Sequence, residues 1–159
     1  MIRRAFLLPL TLLAACSSGP ARTPPPSRSF DGLPISGTLT DAHAAGFTAC
    51  IADNVSIRCR KAGVMVEGQG PYSAAIDLIG SDGSGGFDHL TVWHDTDQGA
   101  VLSVLDTLKA KGWRSCLKGS ELELVTSPKS PVRFAADISY WGKRRLMLIP
   151  EANRDKPRC

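Results

Sequence analysis

The stretch PYSAAIDLI, residues 71–79, decides the fold of this chain. Its apolar side chains recur at every second position, at Tyr72, Ala74, Ile76 and Leu78. Because successive side chains of a strand point to opposite faces, this period of two predicts a strand with one face in the core. The other phase holds Ser73, Ala75, Asp77 and Ile79, and Asp77 is expected to face away from the core.

Helices and further strands are predicted on both sides of this strand. Thr38 and Asp41 resemble a capping box that opens a short helix, and Asp95 and Gln98 repeat the pattern before a second helix. The predicted helices cover residues 38–45 and 95–111. The predicted strands cover residues 47–52, 55–59, 72–79, 87–94, 113–118, 121–126, 131–140 and 145–149.

Two parts of the sequence resemble each other. The stretch AAGFTAC at 44–50 matches AKGWRSC at 110–116, and Pro71, Ala75 and Asp77 match Pro131, Ala135 and Asp137. Each half then has one helix followed by four strands, over residues 38–94 and 95–149. Internal duplication explains this agreement, and chance similarity of two small meanders is the alternative. Either way, we predict an α+β fold with two layers, antiparallel sheet meanders with helices on one face.

The N-terminal residues read as an export leader. Arg3 and Arg4 precede a short apolar run, and small residues precede Cys16, as in a secretory signal peptide. The run is about half the length that a membrane-spanning helix needs. Its ending, Leu13-Ala14-Ala15-Cys16, resembles the lipobox of bacterial lipoproteins. The resemblance implies cleavage before Cys16 and lipid on that cysteine, which anchors the protein to a membrane. Ser17, in place of an Asp, implies sorting to the outer membrane, facing the periplasm.

This interpretation divides the chain into four segments. Residues 1–15 are the signal peptide, and residues 16–35 form a tether with three consecutive prolines, Pro24 to Pro26. A proline-rich tether of some twenty residues, at about 3.1 Å each, reaches roughly 60 Å from its lipid. Residues 36–150 form one α+β domain, and residues 151–159 are a tail that is loose except at Cys159.

Lipidation also makes the number of cysteines even. The chain has five cysteines, and Cys16 leaves Cys50, Cys59, Cys116 and Cys159 to pair in an oxidising compartment. Cys50 and Cys59 flank a predicted turn, so we prefer a Cys50–Cys59 bridge, with Cys116–Cys159 tying the tail back. The main alternative joins Cys50 to Cys116, the equivalent positions of the two halves.

Charge and motifs exclude several function classes. The formal net charge of +4 falls to +2 when Arg3 and Arg4 leave with the leader, which is too little to predict a nucleic-acid partner. The glycine-rich loop at 80–86 lacks the Gly-Lys-Ser/Thr of a phosphate loop, and no Gly-x-Ser-x-Gly surrounds its serines. We therefore predict no cofactor, no catalytic residue and no metal ligand.

Three residues are weaker site candidates. If the two halves pack about a pseudo-twofold axis, Asp77 and Asp137 become paired carboxylates. Two independent solvent-facing residues are the alternative. His94, with Asp95 and Asp97, offers metal-ligand side chains, but Asp95 is expected to cap a helix.

The segment Tyr140-Trp141-Gly142-Lys143-Arg144-Arg145 is the candidate binding surface. Aromatic residues and arginine are enriched in interfaces, and they also suit sugar rings and lipid headgroups. A solvated turn is the alternative. The sequence thus predicts a non-catalytic, lipid-anchored periplasmic module that binds an envelope protein, a peptide or a cell-wall glycan. Two alternatives stay open: an inhibitor of cell-wall-degrading enzymes such as lysozyme, and a small envelope hydrolase.

Overall fold

The computed structural model describes residues 28–139, 142–153 and 155–159, which form an α+β structure around one large sheet. The helices are α1 (Leu39–Ala44) and α2 (Ala100–Ala110). The strands are β1 (Arg28–Phe30), β2 (Leu33–Ser36), β3 (Ala49–Ala52), β4 (Ser56–Val66), β5 (Gln69–Ile79), β6 (Phe87–Trp93), β7 (Arg114–Lys118), β8 (Leu122–Thr126), β9 (Val132–Asp137) and β10 (Leu146–Pro150). The predicted signal peptide, Cys16 and most of the predicted tether lie outside the described residues.

The large sheet consists of two antiparallel meanders. Its order is β3-β4-β5-β6-β10-β9-β8-β7, so α1 precedes the meander β3–β6 and α2 precedes the meander β7–β10. The two meanders join where β6 pairs with β10, and β3 and β7 form the outer edges. Strands β1 and β2 form a separate hairpin. The prediction of antiparallel meanders with helices is confirmed.

One face of the sheet is buried under both helices. Tyr72, Ala74, Ile76 and Leu78 are at most 2% exposed, which confirms the core face predicted from their alternation. The buried helical side chains belong to the same apolar cluster: Ala42 of α1 and Val101, Val104, Leu105 and Leu108 of α2. The helices therefore cover this face and leave the opposite face free for other contacts.

The predicted tether is too long at its C-terminal end. Residues 28–35 were expected to be extended and unpacked, but they form most of the β1–β2 hairpin. Leu33 and Ile35 are buried, and the Phe30 ring packs edge-on against Trp113 and Phe134. Three apolar residues at the end of a Pro/Ser-rich stretch are a weak signal, and their burial becomes apparent only beside the sheet.

The two helix starts differ in how well they match the prediction. At α1, the Asp41 carboxylate accepts a hydrogen bond from the backbone N–H of Thr38 (2.7 Å), which confirms the capping box. Helix α2 begins at Ala100 rather than at 95, because Asp95 instead accepts hydrogen bonds from the side chains of Ser73 and Trp93. Neither helix of the described residues is long and apolar enough to cross a membrane.

Both predicted disulfides are present. Cys50 and Cys59 face each other across β3 and β4, with 4.0 Å between their Cα atoms. Cys116 of β7 is bonded to Cys159 of the tail, with a Cα–Cα distance of 5.8 Å. The alternative bridge between Cys50 and Cys116 is excluded, since the two residues lie on opposite edges of the sheet.

Candidate functional site

The face of the sheet opposite the helices differs between its two halves. The strand pairing places one residue of each of seven neighbouring strands in a single lateral row. In the spatial order β4, β5, β6, β10, β9, β8 and β7, these residues are Arg60, Ala75, Thr91, Met147, Ala135, Leu124 and Cys116. The row has polar residues on β4 and β6, on either side of Ala75, whereas all three of its residues on β10, β9 and β8 are apolar. The two halves of this face therefore need different surroundings.

The apolar half is covered by the C-terminal tail. Leu124, Ala135 and Ile149 form a small cluster that is fully buried although no helix lies over it. The described tail residues, 151–153 and 155–159, follow β10 and end at the Cys116–Cys159 bridge, where Sγ of Cys159 lies 3.9 Å from the carbonyl oxygen of Leu124. The tail that the sequence predicts to be loose is thus a strap over half of the open face.

Arg133 holds this strap in place from below. Its side chain is completely buried on β9 and donates to four backbone carbonyls, those of Asn153 (2.6 Å), Pro157 (2.8 Å), Lys156 (3.1 Å) and Pro150 (3.2 Å). Burial lowers the pKa of Arg133, but guanidinium groups stay protonated in proteins. The cation therefore serves as a fixed set of donors for the tail backbone.

The other half of the face is uncovered and holds a basic groove. Its volume is about 210 Å³, and it is lined by Arg58, Arg60, Ala75, Thr91, Trp93, Lys143 and Arg145. Ala75 and Thr91 are buried and form its floor. Because these floor residues are small, the long cationic side chains from β4 and from the segment before β10 can surround a concave space.

The four cations of the basic groove are not equally available. Arg58 forms two hydrogen bonds with the Asp77 carboxylate (2.7 and 3.0 Å), and these bonds raise the pKa of Arg58. Lys143 lies 3.2 Å from Asp95. Within the described residues, Arg60 and Arg145 have no acidic partner. The unbalanced positive charge of the groove therefore comes mainly from Arg60 and Arg145.

A polar network joins the wall of the groove to the tail. Asp77 also contacts Nε2 of His89 (3.2 Å), whose Nδ1 lies 2.7 Å from Asp88. Asp88 in turn contacts Lys156 (2.8 Å) and accepts a hydrogen bond from Asn153 (2.8 Å). Burial opposes ionisation of Asp88, but the bonds from Lys156, His89 and Asn153 outweigh it, so the pKa of Asp88 lies below its ordinary value.

The predicted pair of carboxylates is not brought together. Asp77 is on β5, only 9% exposed and bound to Arg58 and His89. Asp137 ends β9, three strands away, and accepts a hydrogen bond from the backbone N–H of Ser139. Three strand spacings amount to about 14 Å across the sheet. Both the paired and the freely solvated interpretation of Asp77 are therefore wrong.

His94 shapes a turn. Its Nδ1 accepts hydrogen bonds from the backbone N–H groups of Asp97 (2.9 Å) and Thr96 (3.3 Å), just before α2. A different group of metal-ligand types, His43 with Cys50 and Cys59, lies close together, but the two sulfurs are joined in a disulfide. These sulfurs are therefore not thiolate ligands.

Only some residues of the candidate binding surface, residues 140–145, line the basic groove. Lys143 and Arg145 line it, whereas the Arg144 backbone donates to Gln98. Tyr140 and Trp141 lie outside the described residues. The sequence-based prediction missed Arg58, Arg60 and Trp93. The alternation Ile57-Arg58-Cys59-Arg60 was the available signal, but the strand was expected to end at Cys59.

Comparison with protein-family models, with curated proteins and with solved structures finds no match. The chemistry of the groove must therefore indicate its ligand. Arginine guanidinium groups bind carboxylates and phosphates through paired hydrogen bonds, so the site is suited to an anion. Pockets that enclose a whole small ligand are typically about 300–1,000 Å³, and the groove is smaller. It fits one anionic part of a larger ligand.

Proposed function

We propose that this protein is a lipid-anchored periplasmic binding module and that the basic groove is its binding surface for an anionic envelope ligand. The observation that carries the proposal is the position of Arg60 and Arg145 beside a small-residue floor, with no acidic partner in the described part of the chain. Both side chains are exposed, and because no carboxylate of the described chain occupies their guanidinium groups, their hydrogen-bond donors remain available to an anion.

The proposed membrane anchor is the lipid on Cys16. The lipobox, the leader before it and the even number of paired cysteines after it support this proposal. Cys16→Ala is expected to abolish fatty-acid labelling and to release the protein from membranes. Ser17→Asp is the matched variant, and it should keep the label but change the membrane in which the protein is found. Normal labelling of Cys16→Ala contradicts the anchor.

Internal duplication is part of the same proposal, with α1–β6 and α2–β10 as the two copies. Both helices end at a left-handed glycine, Gly46 and Gly112, and each glycine N–H donates to the carbonyl three residues before it. The N–H groups of Phe47 and Trp113 then donate to Ala42 and Leu108, in the same arrangement. On this view the copies diverged on the open face, where one holds the tail and the other accepts the ligand.

The binding role is tested by charge reversal. Arg60→Glu with Arg145→Glu reverses the charge of the two groove cations that have no acidic partner in the described residues. Lys118→Glu with Lys129→Glu makes the same change of charge at exposed positions in the other half. All proteins are immobilised and incubated with detergent-solubilised envelopes of a bacterium. We expect the groove variant to lose captured components that wild type and control retain. The same components on all three would remove the basic groove as the binding surface.

A further inference from the structure

Three large aliphatic side chains are exposed beside the groove. Ile51 is 70% exposed, Val55 is 73% exposed and Ile79 is 50% exposed. Ile51 is the strand partner of Arg58, and Ser56, next to Val55, is the partner of Ile79. All three therefore lie at one end of the uncovered half, where β3, β4 and β5 meet their turns.

The apolar end and the groove are within reach of one short segment. Ile79 and Ala75 lie on the same face of β5, four residues apart. At about 3.3 Å per residue this separation is roughly 13 Å, which is also the length of four residues of an extended ligand chain. A ligand that places an anionic group over Ala75 can thus bury an apolar side chain against Ile79.

The aromatic residue of the groove is not a free platform for a sugar. The Lys143 ammonium lies 5.9 Å from the ring centroid of Trp93, and the indole N–H donates to Asp95. Exposed isoleucine and valine side chains form no hydrogen bond with a phosphate or a sugar hydroxyl, whereas they gain from burial against an apolar side chain. These contacts favour a polypeptide over a carbohydrate.

The tail shows that the open face can hold a further segment of polypeptide. On the half with β8, β9 and β10, Arg133 binds the carbonyls of Asn153, Lys156 and Pro157 in the tail. Arg60 and Arg145 provide the same kind of donor on the uncovered half. The uncovered half thus offers guanidinium donors as the strapped half does, but its two arginines are exposed and have no segment of the described chain over them.

We propose that the uncovered half of the sheet docks an extended acidic segment of a partner protein, with a Glu or Asp cluster in the groove and an apolar residue about four positions away against Ile51 and Ile79. This inference rests on the proposed binding function and specifies its ligand. Charge complementarity selects the acidic residues, and the aliphatic end selects the apolar one.

The test uses a phage-displayed library of random linear peptides selected on the wild-type protein. The enriched sequences should combine acidic residues with an apolar residue about four positions away. A synthetic consensus peptide should lose at least about tenfold in affinity on Arg60→Glu/Arg145→Glu and several-fold on Ile51→Ser/Ile79→Ser. Leu117→Ser, on the exposed edge strand β7, and the Lys118→Glu/Lys129→Glu control should leave the affinity unchanged.

The outcomes separate this inference from the proposed function. If no acidic peptide is enriched, or if Ile51→Ser/Ile79→Ser binds the consensus peptide as wild type does, the protein-segment inference is wrong. If, in addition, anionic cell-wall fragments bind in a manner that depends on Arg60 and Arg145, the anion-binding function stands with a glycan ligand. If no anionic probe depends on these arginines, both proposals fail.

Discussion

Replacing Arg133 with Met should loosen the strap over the apolar half of the sheet. The change removes a buried guanidinium that donates to three tail carbonyls and to the carbonyl of Pro150 at the end of β10, and that lies 3.4 Å from Glu151. Hydrogen bonds from a charged donor contribute about 1.5–3 kcal/mol each, but the released carbonyls regain water and Met buries no charge. We therefore expect the free energy of unfolding to fall by about 2–4 kcal/mol, well below the sum of the four bonds.

Urea unfolding with intact disulfides measures this loss, and amide hydrogen exchange of residues 151–158 shows where it occurs. Arg158→Met is the matched control, because that side chain is 44% exposed and contacts the same Glu151. Exposed ion pairs are worth about 0–1 kcal/mol, so the control should change little. Equal stability losses in the two variants, or unchanged exchange in the tail of the Arg133 variant, would refute the role of Arg133 as the holder of the strap.

The remaining predictions concern the bridges and acid pH. Cys116→Ala with Cys159→Ala opens a loop with a sequence separation of 43 and should lower the free energy of unfolding by about 4 kcal/mol. Cys50→Ala with Cys59→Ala opens one with a separation of 9 and should lower it by about 2.5 kcal/mol. Urea unfolding ranks the two variants, and the reverse order contradicts the loop-length argument. Asp88 has a folded pKa below its ordinary 3.8, so its stabilisation is present above that value and is lost as pH falls through the folded pKa. In Asp88→Asn, the free energy of unfolding should therefore fall less steeply than in wild type below about pH 4. The exposed control Asp106→Asn should keep the wild-type pH profile. An unchanged pH profile in Asp88→Asn counts against the Asp88 network.

The parts of the fold that follow from local patterns were predictable. The alternation at 72–79 depends only on the period of a strand, and the capping box at Thr38 and Asp41 needs only residues three apart. The Cys50–Cys59 bridge followed from a turn between two short strands. In each case the deciding contact lies within a few residues of the chain.

The parts that depend on distant partners were not predictable. Asp95 has the pattern of a helix cap, but Ser73 of β5, 22 residues away, binds its carboxylate together with the nearby Trp93. Asp77 was expected to face solvent, but Arg58 and His89 on either side enclose it. The groove itself needs Arg145 to lie beside β6, and that adjacency arises from the pairing of β6 with β10.

The most direct test of the basic groove is the affinity of the purified protein for a fluorescent hexaglutamate peptide, measured by anisotropy at low and high salt. Replacing Arg60 and Arg145 with Glu removes two charges that attract the peptide and adds two that repel it. We expect the binding free energy to weaken by at least about 1.4 kcal/mol, which is a loss of at least about tenfold in affinity. The control with Lys118→Glu and Lys129→Glu should bind within about twofold of wild type at the same salt, because exposed charges far from the groove are largely screened. Equal weakening in both variants, or none in the groove variant, would contradict a binding site on the open face.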